Sequence, residues 1–284
     1  MVLAAFASAA VGRADTGTNH VKVDLLADVS AVQPGKPFTL GVRFRIDPGW
    51  HIYWTNPGDS GLPTRVKLDL PPGLTAGATE YPVPSILTFP GDITNYGYEH
   101  EVVLLVPVTP TAALTAVGSA HIVAHIDYLV CDATCLPGSA VLSIDLPEST
   151  QSAPANGPLF AEARYRMPRL ATDPAAAVVR SKATFGHGGA TVSADVAWRG
   201  STAPAAVTWI PDVLPAAWEL DNLAVRFDAG HTTVSFGLTP LAKGAPLPPQ
   251  VDGLLISTST DGRRTGCVCP IRVTAGSAHS PTGS

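Results

Sequence analysis

The segment Phe38-Thr-Leu-Gly-Val-Arg-Phe-Arg-Ile46 places an apolar side chain at every second position: Phe38, Leu40, Val42, Phe44 and Ile46 share one side, Arg43 and Arg45 the other. A helix needs a period near 3.6, whereas successive side chains of an extended strand point to opposite faces, so this run is a strand with one buried and one solvated face. Weaker versions of the pattern recur. Val21, Val23 and Leu25 alternate with Lys22 and Asp24, Trp50 to Trp54 begins another strand, Val66, Leu68 and Leu70 form a third, and Glu101 to Val108 a fourth. Between them lie the turn sequences Val32-Gln-Pro-Gly-Lys-Pro37, Asp47-Pro-Gly49, Asn56-Pro-Gly58 and Pro71-Pro-Gly73. Such one-faced strands must stack in sheets to bury their apolar sides. With Ile122 to Val130 and Ala140 to Leu146, seven or so strands over about 130 residues predict an immunoglobulin-like sandwich across residues 17–150.

The second half repeats the theme. Val192, Ala194, Val196 and Trp198 alternate, as do Val225 and Phe227, then Val234, Phe236 and Leu238, which predicts a second β-sandwich over 175–275 and an all-β chain. Residues 151–174 read as a linker: Glu148 to Pro158 is rich in Ser, Pro, Asn and Gly, and Leu159 to Met167 is predicted to form a short helix before Pro168, docked on one domain. At 284 residues, 45% apolar and 14% charged, the chain can bury two cores, and a net charge of −5 argues against nucleic acid as a partner. Residues 1–16 are apolar and small with a cleavage-like Gly12-Arg-Ala14, which reads as a signal-like segment lacking a basic start; residues 276–284 read as a disordered tail. No stretch reaches the roughly 18 apolar residues of a membrane span.

The chemistry concentrates in Ile126-Asp-Tyr-Leu-Val-Cys-Asp-Ala-Thr-Cys-Leu-Pro-Gly-Ser139. Cys131 ends an alternating strand and Cys135 lies past a short turn, with Pro137-Gly138 read as further punctuation. A bridge between them would close a loop of about five residues and stabilise the fold by only about 2 kcal/mol, so it makes a weak staple. A short, accessible disulfide is also more readily reduced than a long-range one. A reversible redox pair, a structural disulfide and a metal site all remain open on these residues. For the metal, His121 and His125 share the face of Cys131, a set that would suit zinc or copper. Asp127 and Asp132 are candidate modulators, because a neighbouring carboxylate disfavours the thiolate. Cys267 and Cys269 differ: they alternate with Ile271 and Val273 on an apolar face and read as buried hydrophobes. Trp50 and Trp54 read as core and edge aromatics. No organic cofactor is required, since thiolate and disulfide are themselves nucleophile and electrophile.

Three motifs in order, Gly49-Trp-His-Ile-Tyr-Trp-Thr-Asn-Pro-Gly-Asp-Ser-Gly-Leu-Pro63, Asn95-Tyr-Gly-Tyr-Glu99 and Tyr128-Leu-Val-Cys-Asp-Ala-Thr-Cys-Leu-Pro137, resemble the periplasmic N-terminal region of the DsbD/ScsB family of thiol-disulfide interchange proteins. The resemblance covers residues 17 to 150 well and 175 to 275 loosely, and does not extend to Cys267 and Cys269. It implies an immunoglobulin-like fold and an exported, periplasmic setting. It also implies a catalytic pair, Cys131 and Cys135, in which Cys135 bonds to partners and Cys131 resolves. Its implied partners are thioredoxin-like periplasmic proteins and a membrane-embedded thiol donor supplied in trans. A cap loop bearing an aromatic covers the pair in that family. The matching stretch, 81–100, holds Pro82, Pro84, Pro90 and Gly91 and is expected to be a long irregular connection that lays Tyr96 or Tyr98 on the bridge, with Gly97 allowing movement. Asn95 stands at about the place of the family's shielding ring. The competing class is a non-catalytic sandwich that binds copper or an assembly partner, copper being suggested by relatives linked to copper tolerance.

Overall fold

The computed structural model describes residues 20–112, 114, 117–169, 176–186, 189–198, 204–228 and 231–273. The signal-like segment 1–16, the tail 276–284 and the side chain of Trp198 lie outside the described residues. The chain divides into two compact units, Met1–Met167 and Pro168–Ser284.

In the first unit, one sheet orders β1 (Val21–Ala27), β2 (Phe38–Ile46), β8 (Glu101–Pro110) and β5 (Leu74–Ala76). The other orders β10 (Cys135–Pro147), β9 (Ser119–Cys131), β3 (His51–Gly58), β7 (Ile93–Glu99) and β6 (Ser85–Phe89), with β4 (Arg65–Asp69) also paired to β9. The alternation in β2 is realised as predicted: Phe38, Leu40, Val42, Phe44 and Ile46 are all buried. Phe44 crosses the sandwich to meet Tyr128 of β9 edge-on, ring centroids 5.8 Å apart. On the outer face of β2 and β8 lies α1 (Gly157–Tyr165), offset by two residues from its predicted start and end. Its Phe160 and Ala163 pack on Val103 and Leu105, and Phe160 fits only because Gly41 has no side chain: a Cβ there would stand 3.0 Å from the ring. Because both its faces are covered, β8 reads as a nearly continuous apolar run.

Three punctuation readings do not hold. Pro137-Gly138 is not a turn but lies inside β10. That strand is the sheet's edge, where a missing N–H is tolerated, and Gly138 lies opposite Tyr128, whose ring a Cβ would meet at 2.3 Å. Asn56-Pro-Gly58 does not end β3; the strand runs to Gly58 through a register irregularity after Tyr53. Nor is 81–100 an irregular loop. β6 and β7 form a hairpin in which Phe89 pairs with Ile93 across Pro90-Gly-Asp92, and Gly91 and Asp92 take the positive φ values, 89° and 60°, that close so tight a turn.

In the second unit β11 (Ala176–Gly186), β12 (Gly189–Trp198), β15 (His231–Pro240) and β14 (Trp218–Asp228) form one sheet, in that order. β13 (Ala206–Pro211), β17 (Gly253–Thr258) and β18 (Arg264–Val268) form a second, and β16 (Gln250–Val251) pairs with β19 (Ile271–Arg272). Both units are immunoglobulin-like sandwiches. The second core centres on Trp209, stacked on Phe236 at 5.3 Å and donating its indole N–H to the Cys269 carbonyl. Cys267 and Cys269 are thiols, not joined in a disulfide, and are buried in that core with Ile271 and Val273. Burial and the neighbouring Cys267 push the Cys269 thiol up to about 12, so it stays protonated and unreactive.

Candidate redox site

The strand β9 ends at Cys131, β10 begins at Cys135, and the two cysteines are directly opposed in the antiparallel register, with Cα atoms 4.2 Å apart and a disulfide between them. The tip is an Asx turn: Asp132 Oδ1 accepts from the Thr134 amide at 2.7 Å, and the Asp132 amide donates to the Thr134 carbonyl. Asp132 therefore has a structural task beside its charge. Asp127, opposite Ser139 and Arg65, is exposed on the same face, four residues back along the strand from Cys131.

The register decides what can touch the sulfurs. Cys131 is the partner of His51 on β3, and His51 is in turn the partner of Glu99 on β7, so these side chains stand in a row on one face with Cys135. Tyr53, two residues on from His51, shares that face, and its hydroxyl donates to Cys131 Sγ at 3.1 Å and lies 4.0 Å from Cys135 Sγ. The Tyr53 ring meets His51 edge-on at 5.1 Å, and Phe89, at the end of β6, lies over His51 at 5.1 Å. The sheet's outward face is thus locally dry: Cys131 is 1% exposed and His51 4%, while Cys135 is exposed. Burial raises the pKa of Tyr53 and lowers that of His51; Glu99 and Asp132 pull His51 the other way. His51 is consequently neutral near pH 7, and its Nε2 is buried without a hydrogen-bond partner.

The motif Asn56 to Gly61 builds this arrangement. Asn56 Oδ1 accepts from the Gly58 amide, Asp59 Oδ2 from the Thr94 amide, and Asn95 Oδ1 from the Ser60 amide, which ties the segment to β7. Gly61, at φ 100°, leaves space for the Tyr53 ring; a Cβ there would lie 2.3 Å from it.

Several sequence expectations fall elsewhere. Ile52 pairs with Tyr98, and side chains alternate across the sheet, so Tyr98 is on the face opposite Cys131. Its hydroxyl donates to the Pro82 carbonyl at 2.7 Å, and Tyr96, two residues away, packs edge-on against Trp54. Neither ring lies on the bridge; Phe89 and Tyr53 are the rings on that face. Gly97 is fixed in a strand, where a Cβ would come 2.2 Å from the Ile52 carbonyl oxygen, and Asn95 is buried as a clamp on Ser60. Trp50 stacks on His20 at 3.9 Å, and Trp54 is buried. His121 and His125 join no cysteine: they pair with Asp145 at 2.8 Å and Asp69 at 2.7 Å. Among the described residues no group of three His, Cys, Asp or Glu side chains is arranged to hold a metal ion, and no helix is long and apolar enough to cross a membrane. Sequence reasoning missed Tyr53, His51 and Phe89 as neighbours of the pair. The signal was present in the parity of Trp50 to Trp54, which puts His51 and Tyr53 on one face, but only the β3–β9 pairing connects that face to Cys131.

A buried sulfur held by a hydroxyl and opposed to an accessible one is suited to thiol-disulfide exchange, with attack at the accessible atom and the buried one as leaving group. Residues 20–146 match the family model described as "Thiol:disulfide interchange protein DsbD, N-terminal". The N-terminal periplasmic domain of ScsB from Proteus mirabilis has a similar structure, with a TM-score of 0.64 and 17% identity over 90% of this chain and 95% of that one. The Neisseria meningitidis DsbD N-terminal domain in its reduced form aligns with 46% of this chain and 90% of its own length, at 18% identity and a TM-score of 0.26. No curated protein matches the chain.

Proposed function

We propose, from the premise that residues 20–146 are a domain of the DsbD N-terminal family, that this chain is an exported, periplasmic protein-disulfide reductase module. It relays electrons through reversible opening of Cys131–Cys135, from a membrane-embedded or thioredoxin-like donor to oxidised periplasmic proteins. The observation that carries the reading is the asymmetry of the pair: Cys135 is exposed, whereas Cys131 is buried with its sulfur accepting from Tyr53. A partner thiolate can approach Cys135 in line only if Cys131 leaves, and the Tyr53 hydroxyl is placed to stabilise the departing sulfur. Cys135 is thus the atom that forms the mixed disulfide and Cys131 the resolving thiol. A Cys131→Ser variant is expected to accumulate a covalent complex with a thioredoxin-like protein that dithiothreitol releases, while Cys135→Ser traps far less. Equal trapping by both would reverse the role assignment, and no trapping by either would favour a structural bridge.

Phe89 takes the shielding role in this reading. Its ring, at the turn of the β6–β7 hairpin, covers His51, the register partner of Cys131. Exchange depends on access to the sulfurs. Phe89→Ala should therefore raise the rate at which glutathione reduces the bridge, by about tenfold, whereas Tyr98→Ala, on the opposite face, should not. Quenched-flow thiol trapping measures both rates.

A further inference from the structure

His51 is the one buried imidazole of the site, and the chemistry assigned so far gives it no task. It lies between a buried sulfur and an exposed carboxylate: Cys131 on one neighbouring strand and Glu99 on the other are both its register partners, on one face. Directly opposed residues in such a row have Cβ atoms about 5 Å apart, close enough for imidazole to exchange a proton with either side. The Nε2 atom has no hydrogen-bond partner although the residue is 4% exposed, and an unsatisfied buried nitrogen is costly unless something uses it. The groups facing it are Tyr53 on its own strand, Phe89 from β6, Glu99 from β7, Asp132 from the hairpin tip and the cysteine pair.

We infer that the row Cys131–His51–Glu99 is a proton path that serves disulfide exchange, with His51 as the group that takes and returns the Cys131 proton and Glu99 as the residue that positions it and opens the path to solvent. The inference rests on the exchange function proposed above. In the reduced protein Cys131 carries a thiol in a site closed to water. When it resolves a mixed disulfide between Cys135 and a partner, the S–H proton passes to His51 Nε2 and the sulfur's electron pair forms the bond to Cys135 Sγ. The bond between Cys135 and the partner breaks, and the partner leaves as a thiolate that takes a proton from water. The pair is oxidised by two electrons, the partner is reduced by two, and the proton held on His51 passes out beside Glu99. The reverse sequence protonates Cys131 when a partner thiolate opens the bridge. The neutral imidazole is the form that takes the Cys131 proton during resolution, and the lowered pKa of His51 keeps it in that form at neutral pH; the reverse direction runs through the imidazolium, whose proton enters from solvent beside Glu99.

The test is the pH dependence of resolution. The reduced protein is mixed with glutathione disulfide, and conversion of the Cys135–glutathione adduct to the Cys131–Cys135 bridge is followed by acid quench and mass spectrometry from pH 5.5 to 9. Wild-type resolution is expected to stay flat from pH 8 to below the ordinary imidazole pKa of about 6.5. H51Q is expected to be at least about tenfold slower at pH 7, in line with loss of a general base, and to accelerate with pH across the whole range, because hydroxide must then remove the thiol proton unaided. E99Q should slow resolution only on the acid side, and E99D should restore it. An H51Q profile that parallels the wild type would overturn the proton path while leaving exchange intact. A wild type that resolves no adduct would remove the exchange function and this inference together. If H51Q fails to fold, judged by its thermal melt, the exposed position decides, and an E99Q profile identical to the wild type overturns the inference.

Discussion

Phe44→Ala is expected to lower the unfolding free energy by about 3 to 5 kcal/mol, the range for removing a fully buried phenylalanine. Phe44 is 0% exposed and stands mid-strand in β2 between Val42 and Ile46, so the cavity is lined by side chains that the register holds in place. The substitution also removes the edge-to-face contact with Tyr128, which links the two sheets of the first sandwich. Tyr128 lies three residues before Cys131 on β9, against Gly138 of β10. A loosened ring would thus be felt along the hairpin that carries the disulfide. Urea titration should show a lower midpoint with an unchanged slope. A loss below about 1 kcal/mol would mean that the site collapses to fill the space and that the interior is less tightly specified than the register suggests.

Gly97→Ala is expected to cost about 3 kcal/mol, the upper end for a methyl forced into packed structure. The reason is steric and specific to the backbone: the new Cβ would lie 2.2 Å from the Ile52 carbonyl oxygen, and a carbonyl in a paired strand cannot rotate away as a side chain can. Relief requires β3 and β7 to part at the Tyr53–Gly97 pair, two residues from His51. The variant should therefore combine a lower denaturation midpoint with faster reduction of the bridge by glutathione under native conditions. Stability loss with an unchanged rate would show that Tyr53 and His51 keep their places when β7 moves.

What could be read from the sequence follows from which interactions are local. The period of β2 is set within nine residues, and it named the core correctly from Phe38 to Ile46. The Cys131–Cys135 pairing was open to reading for the same reason, since only a short turn separates the two. The shield was misplaced because it depends on pairing between segments far apart in the chain. Ser85 to Phe89 is only five residues between prolines, too short to announce itself as a strand, so its hairpin with β7 and the face of Phe89 were not visible. Once Tyr96 and Tyr98 are put into a strand, alternation sends them to the opposite face from Gly97, and the register of Ile52 with Tyr98 settles which side holds the sulfurs. Pro137 and Gly138 misled in the opposite way: residues that usually end strands are accommodated here by a sheet edge and by a ring that needs room. Burial of Cys131 was equally hidden, because its parity is that of the exposed His121 and the half-buried His125, and it is Tyr53, His51 and Phe89 from other strands that make its end of that face dry.

The disulfide crosses the tip of a hairpin whose two 13-residue strands remain in register from Cys131–Cys135 to Ser119–Pro147. In a thermodynamic cycle joining folding with reduction, the difference in stability between the oxidised and reduced protein equals the difference in reduction free energy between the folded and the unfolded chain. On the unfolded side, so small a ring constrains the chain by only about 2 kcal/mol. On the folded side, the ladder that holds the two cysteines opposite each other does not depend on the bond between them. The scaffold is therefore nearly indifferent to the oxidation state of the pair. Under the exchange function proposed above, the protein would cycle between its two states without refolding, and a partner that must tell one state from the other would have to read the sulfur atoms and their nearest neighbours, because the ladder that shapes the sandwich is the same with the bond open or closed.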